Sequence, residues 1–93
     1  MRKHWENVRA EHVLEAINLF ERSRKKKPLA ARNTFLLYEG KMYPAKHIRG
    51  MAYQIATRKK IAANEYLGGK ETADFFVRLG FEVVRQNPMG QIA

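Results

Sequence analysis

The side chains in this sequence that could do chemistry are mostly cations, and they are unevenly placed. Between Arg22 and Lys60 stand 12 basic residues against one acid, Glu39, whereas the remainder holds 6 basic and 8 acidic residues. The whole chain carries a net charge of +9. A cationic middle suits a phosphate backbone, because each neutralised phosphate releases condensed counterions. It would equally suit an anionic membrane surface or an acidic protein. The densest run is Arg24-Lys25-Lys26-Lys27. It reads either as a helix end complementing the macrodipole and passing into a solvated loop, or as an arm that grips phosphates without reading sequence.

The stretch from Tyr38 to Tyr53 gives that charge a scaffold. It predicts a strand, a turn at Gly40, a return strand ending at Tyr43 and a helix starting at Pro44, where a missing N–H is harmless. At about 100° per residue, Ala45, Ile48, Met51, Ala52, Ile55 and Ala56 share one side of the helix. Lys46, Arg49, Gly50, Tyr53, Thr57 and Lys60 share the other. Lys46, Arg49, Tyr53 and Lys60 are therefore the expected working face, aided by Lys41, Arg24 to Lys27, Arg32 and Lys70. Arg58, Lys59 and Lys60 close the helix, where its negative end would account for them as well. Tyr38, Tyr43 and Tyr53 surround the cationic surface, either stacking on bases or packing beneath lysine stems.

Catalytic chemistry finds no comparable support. His4, His12 and His47 are scattered, and the chain has no cysteine, so neither a metal site nor a thiol nucleophile is expected. Ser23 lies in a basic helix end without a base beside it. Glu65, Glu71 and Asp74 surround a helix start, where acids are stabilising anyway. The expectation is a non-enzymatic protein without cofactor, metal or small-molecule substrate. Gly68-Gly69, opening a helix with Lys70 beside it, offers either an anion seat of backbone N–H groups or simply a tight turn. The P-loop spacing is missing.

Ninety-three residues make one domain, with an ordered core over about residues 8–86 and a loose tail after Asn87-Pro88. A helix is expected over 8–24, with Asn7 as its N-cap and Trp5 packed on its first turn. Strands follow at Asn33 to Tyr38 and Lys41 to Tyr43, then the helix from Pro44 to near Lys60. A third helix spans Lys70 to Leu79, turning Ala73, Phe76 and Val77 inward. Gly80 and Phe81 suit a Schellman ending, and Phe81 to Arg85 alternates as the third strand. The order α-β-β-α-α-β predicts a small α+β domain, a three-stranded antiparallel sheet packed on helices. No apolar run approaches the roughly 20 residues of a membrane span, and the amino end lacks a signal-peptide centre. A cytoplasmic protein with no membrane partner is expected.

Val13, Leu14, Ala16 and Ile17, then Gly40, Tyr43 and Lys46, then Gly50, Ala52, Ala56 and Thr57, then Gly68, Gly69 and Thr72, and the closing LGFEV form an ordered set. In that order and spacing, over roughly residues 8 to 85, the chain resembles the N-terminal head domain of ScoMcrA-like, modification-dependent HNH restriction endonucleases and related bacterial defence proteins. The resemblance implies a DNA-handling context, in which the head precedes domains that recognise modified DNA and an HNH nuclease. The chain would then be a fragment or a free-standing relative. Two departures stand out. Leu67 occupies the place where serine is expected before the glycine pair, and Arg58-Lys59-Lys60 replaces a glycine-containing helix end.

The reading that follows is a non-catalytic DNA-binding module making mainly phosphate contacts, with DNA preferred over RNA. The alternative is a phage or mobile-element inhibitor of the anti-CRISPR or anti-restriction type. It would bind a nuclease or other defence protein and block its access to nucleic acid. A net +9 rules out the acidic DNA-mimic route to that end. A ribosome- or RNA-associated role fits the composition but has no motif behind it.

Overall fold

The expected order of elements is the observed one. The computed structural model describes residues 5–23 and 34–85, apart from the side chain of residue 63. Helix α1 (Ala10–Arg22) leads to β1 (Thr34–Tyr38), β2 (Lys41–Pro44), α2 (Ala45–Thr57), α3 (Gly69–Arg78) and β3 (Glu82–Arg85). Short 3-10 turns lie at Trp5–Asn7 and Ala63–Glu65. The run Arg24 to Lys27 and Arg32 lie outside the described residues, as does the tail.

Helix α1 buries Val13, Ala16 and Ile17, the i, i+3, i+4 stripe that its sequence advertises. Its N-cap is Arg9 rather than Asn7. Asn7 is taken up in the preceding 3-10 turn, which closes with the Val8 N–H donating to the Trp5 carbonyl at 3.0 Å. The Arg9 N–H then donates to His12 Nδ1 at 2.9 Å, so an imidazole does the work of a capping-box glutamate. That turn carries Trp5 away from α1. Its ring instead lies 4.6 Å from Tyr53, 5.3 Å from Tyr66 and 5.5 Å from Phe75, centroid to centroid.

Strand β1 is central in the sheet order β2-β1-β3, with both neighbours antiparallel. Tyr38 pairs with Lys41, which leaves a two-residue loop of Glu39 and Gly40. Both adopt positive φ, 50° and 79°, as a type I′ turn requires. At the far end, Phe35 pairs with both Pro44 and Val84, and Thr34 with Arg85. The end of β2 and the end of β3 therefore lie at one edge of the molecule. Helix α2 starts there, straight after Pro44. Helix α3 also starts there, because it returns into β3 through a Schellman turn: the Phe81 N–H donates to the Phe76 carbonyl and the Gly80 N–H to the Val77 carbonyl, each at 3.0 Å.

The core joins Val13, Ile17, Leu36, Ile48, Ala52, Phe75 and Phe76. In α3 the buried side is Thr72, Ala73, Phe75 and Phe76. Val77, expected inside, is 58% exposed, because Phe75 turns instead toward Trp5.

The Glu39 backbone sits in a conformation that side chains other than Asn, Asp and Gly adopt at a cost of roughly 1 kcal/mol. Glu39→Asn should raise the unfolding free energy by about 0.5–1 kcal/mol, read as a higher urea midpoint at unchanged slope. Gly40→Ala should lower it by a similar amount or more.

Candidate nucleic-acid interface

The expected working face of α2 is in large part interior. Arg49 is 3% exposed and Tyr53 5%. The outward arc holds His47, Gln54 and Arg58, with Lys46, Gly50, Met51 and Thr57 partly accessible beside them. Relative to the one-sided amphipathic reading, the exposed arc is rotated by roughly 60–80° on a wheel of about 100° per residue. The cause is packing on two sides. One side of α2 rests on α1 and the sheet. Trp5, Tyr66 and Phe75 cover the flank that carries Arg49 and Tyr53.

The Arg49 guanidinium sits within that aromatic cover, its central carbon 4.0 Å from the Trp5 ring centroid, 4.7 Å from Phe75 and 5.3 Å from Tyr66. Nη1 donates to the Leu67 carbonyl at 3.2 Å and to Thr72 Oγ1 at 2.9 Å. Nη2 pairs with Glu71 Oε2 at 3.1 Å. Desolvation pulls the Arg49 pKa down and Glu71 pushes it back up; a guanidinium stays charged throughout. Its Nε is buried without a partner among the described residues. Thr72 Oγ1 itself donates to the Leu67 carbonyl at 2.6 Å. Helix α3 starts at the N-cap Gly68 without a side-chain cap hydrogen bond.

Tyr43 is likewise interior. Its hydroxyl donates to Glu21 Oε2 at 2.6 Å, and Lys41 Nζ lies 3.6 Å from the same oxygen. Burial, then the Glu21 carboxylate, pushes the phenol up to about 12. His47 lies on the accessible arc against Phe20, and desolvation lowers its pKa. It is therefore mainly neutral at pH 7 and a poor phosphate ligand.

The accessible cations of α2 and its flanking turns gather at its two ends, while Arg9, Arg22, Lys41 and Arg78 are exposed elsewhere. At its start, Lys46 lies over the Tyr66 ring, Nζ 5.1 Å from the centroid. Its Cδ is 3.5 Å from where a Cβ on Gly68 would stand, and Arg85 Nη2 is 3.7 Å from the equivalent point on Gly69. Lys70 is exposed beside them, in a surface pair with Asp74 at 2.9 Å. Sequence reasoning missed Arg85. The signal was the β1–β3 register, which sets the end of β3 beside the start of α3.

At the other end, Arg58 takes φ 64°, the left-handed conformation a glycine would normally supply, and its N–H donates to the Gln54 carbonyl at 2.7 Å. The Thr57 hydroxyl donates to the Tyr53 carbonyl at 2.8 Å and accepts the Lys59 N–H at 3.2 Å. Arg58, Lys59 and Lys60 are all exposed around this turn.

Gly50 belongs to the same construction. A Cβ there would collide with the Tyr66 hydroxyl, which donates to the Lys46 carbonyl at 2.9 Å. Over residues 6–85 the chain matches the family described as ScoMcrA-like, N-terminal head domain.

The chain belongs to that family. The match spans most of the sequence and ties the protein to restriction and defence. The matched unit is a head module, not the HNH catalytic domain. No curated protein and no solved structure matches the head domain. Among the described residues, no group of three or more His, Cys, Asp or Glu side chains is placed to hold a metal ion, and no helix is long and apolar enough to cross a membrane.

Two outcomes test the interior chemistry. Arg49→Ala strips the aromatic cover of its contents and leaves the Leu67 carbonyl underbonded, and should cost about 3 kcal/mol in urea unfolding. Arg49→Lys, which loses the planar fork but keeps the charge, should cost roughly half of that. Trp5, the sole tryptophan, stacks on the guanidinium and should report both changes in its fluorescence.

The second outcome concerns pH. Tyr43 titrates near 10 when unfolded and about 12 when folded, so the folded state holds its proton longer. Its contribution to stability is complete below pH 10 and is lost as pH rises toward 12. Tyr43→Phe should flatten the fall in stability across that window, and should remove the late tyrosinate step from an ultraviolet titration.

Proposed function

We propose that this head domain is a non-catalytic DNA-binding module that holds the phosphate backbone from both ends of α2. The observation that carries this reading is the convergence of Lys46 and Arg85, from two different elements, on the Gly68–Gly69 turn, with Lys70 next in sequence to it. The starts of α2 and α3 lie at that same edge, so two positive helix ends add to these cations. The backbone N–H groups at Gly68 and Gly69 are the anion seat of this arrangement.

From Lys46 to Arg58 along α2 is about 18 Å at about 1.5 Å per residue, more than the roughly 12 Å width of a major groove. The two cationic ends suit phosphates on opposite sides of a groove. The arc between them, with Gly50, Gln54 and Thr57, then faces the groove itself. Among these side chains Gln54 alone can form a bidentate fork to a base, an adenine, which fits weak sequence selectivity. Tyr43, Tyr53 and Arg49 serve this surface as support and do not touch the nucleic acid. Lys41, held near Glu21, is a peripheral contact. The family match weighs for DNA over the inhibitor reading.

Fluorescence anisotropy with a duplex oligomer tests the assignment. With about five phosphates engaged, the log–log salt slope should lie near −4 to −5. Lys46→Glu/Arg85→Glu should weaken binding at least tenfold and flatten the slope by about 2. Lys41→Glu should have a much smaller effect. Equal binding by the double variant and the native protein would remove this edge from the interface, and a salt-independent affinity would remove the phosphate reading altogether.

A further inference from the structure

Resting on that reading, we infer that Leu67 is a wedge that enters the minor groove beside the phosphates gripped by Lys46 and Arg85. Leu67 is 67% exposed, more than Leu14, Leu19, Met42 or Val77. A single exposed leucine is ordinary by itself. This one differs in how its backbone is held and in what surrounds it.

The carbonyl of Leu67 accepts two hydrogen bonds, from Arg49 Nη1 at 3.2 Å and from Thr72 Oγ1 at 2.6 Å. The residue before it, Tyr66, is 8% exposed and is tied to the Lys46 carbonyl at 2.9 Å. The residue after it, Gly68, lies against the Lys46 stem. The loop is therefore fixed at three consecutive residues while the isobutyl group between them stands in solvent. Its neighbours Lys46, Lys70 and Arg85 are the side chains that would bring a phosphate strand to this edge. An apolar group among phosphate-binding cations has no favourable contact with the phosphates themselves. The apolar surface available to it on DNA is the stacked base step reached through a groove.

With α2 over the major groove, the phosphate strand held at the Lys46 end separates that groove from the adjacent minor groove. Leu67 stands at that boundary. Leucine is among the side chains that wedge between base steps from the minor groove, partly unstacking them and kinking the duplex. The energetic cost is lowest at pyrimidine–purine steps such as TA and CA. The structure thus assigns to the head domain a preference for deformable steps, read through shape.

The experiment uses the full chain and duplexes carrying 2-aminopurine beside a central TA step, with end-labelled versions for energy transfer. On saturation with native protein, 2-aminopurine fluorescence should rise severalfold and the ends should draw together. Leu67→Ser should abolish both signals and lower affinity by about tenfold, while its melting temperature and salt slope stay native. Leu67→Met should retain both signals. A silent 2-aminopurine probe on a duplex that binds with the expected salt slope overturns the wedge and leaves phosphate binding standing. A Leu67→Ser protein with native signals does the same. Absence of any duplex binding by the native chain overturns both.

Discussion

The placement of one guanidinium, that of Arg49, governs how this domain is put together. Its two Nη groups reach the Leu67 carbonyl, Thr72 Oγ1 and Glu71 Oε2, and its plane lies under Trp5 and beside Phe75. Helix α2, the start of α3 and the first 3-10 turn thus meet on one side chain. A buried cation is tolerable where most of its donors are satisfied and its charge is met; of the Arg49 donors, Nε lacks a partner among the described residues. Here the carboxylate of Glu71 sits partly in solvent, which keeps its own desolvation cost low. The aromatic rings supply the rest through their faces. A lysine, whose three donors radiate from one compact nitrogen, could not spread them over three acceptors while lying flat against the rings.

That placement explains why the charge of the chain is displayed where it is. Because α2 is covered on two flanks, its cations cannot form a continuous stripe, and those that remain accessible stand at its two ends. The acids near them are already engaged: Glu71 with Arg49, Asp74 with Lys70, and Glu21 with Tyr43 and Lys41. The exposed pairs among them, Asp74–Lys70 and Glu21–Lys41, contribute little to stability. Their effect is on the field, since they localise the negative charge while Lys46, Arg85 and the Arg58–Lys60 turn remain accessible around α2.

Much of this was legible in the sequence where the signal was local. The Gly80–Phe81 ending of α3, the turn at Gly40 and the alternation that makes β3 each depend on a few adjacent residues, and each stands as read, within a residue or two. What failed were inferences about sidedness. A helical wheel sorts residues by polarity and assumes one covered flank, so it placed Arg49 and Tyr53 outside. The cover comes from Trp5, Tyr66 and Phe75, residues far away in the chain, and polarity scales score arginine by its head and not by its planar, stackable body. Val77 was placed inside for the same reason, whereas Phe75 takes the covered position. Arg85 went unnoticed because only strand register brings it beside Gly69.

A buried ion pair is weak evidence for stability, since apolar residues of similar volume often serve as well or better. An apolar side chain at position 49 could fill the space beneath Trp5, but it could not hold the Leu67 carbonyl or the Thr72 hydroxyl. What Arg49 adds is therefore direction. It fixes the loop that opens α3 relative to the first turn of α2, so that Gly68 lies on the Lys46 stem and Gly69 beside Arg85. Gly50 completes the same task by letting Tyr66 approach α2 closely enough to bond the Lys46 carbonyl. The interior cation thus makes no contact with a polyanion itself, yet it sets the spacing at which the outer cations, and the leucine between them, would meet one.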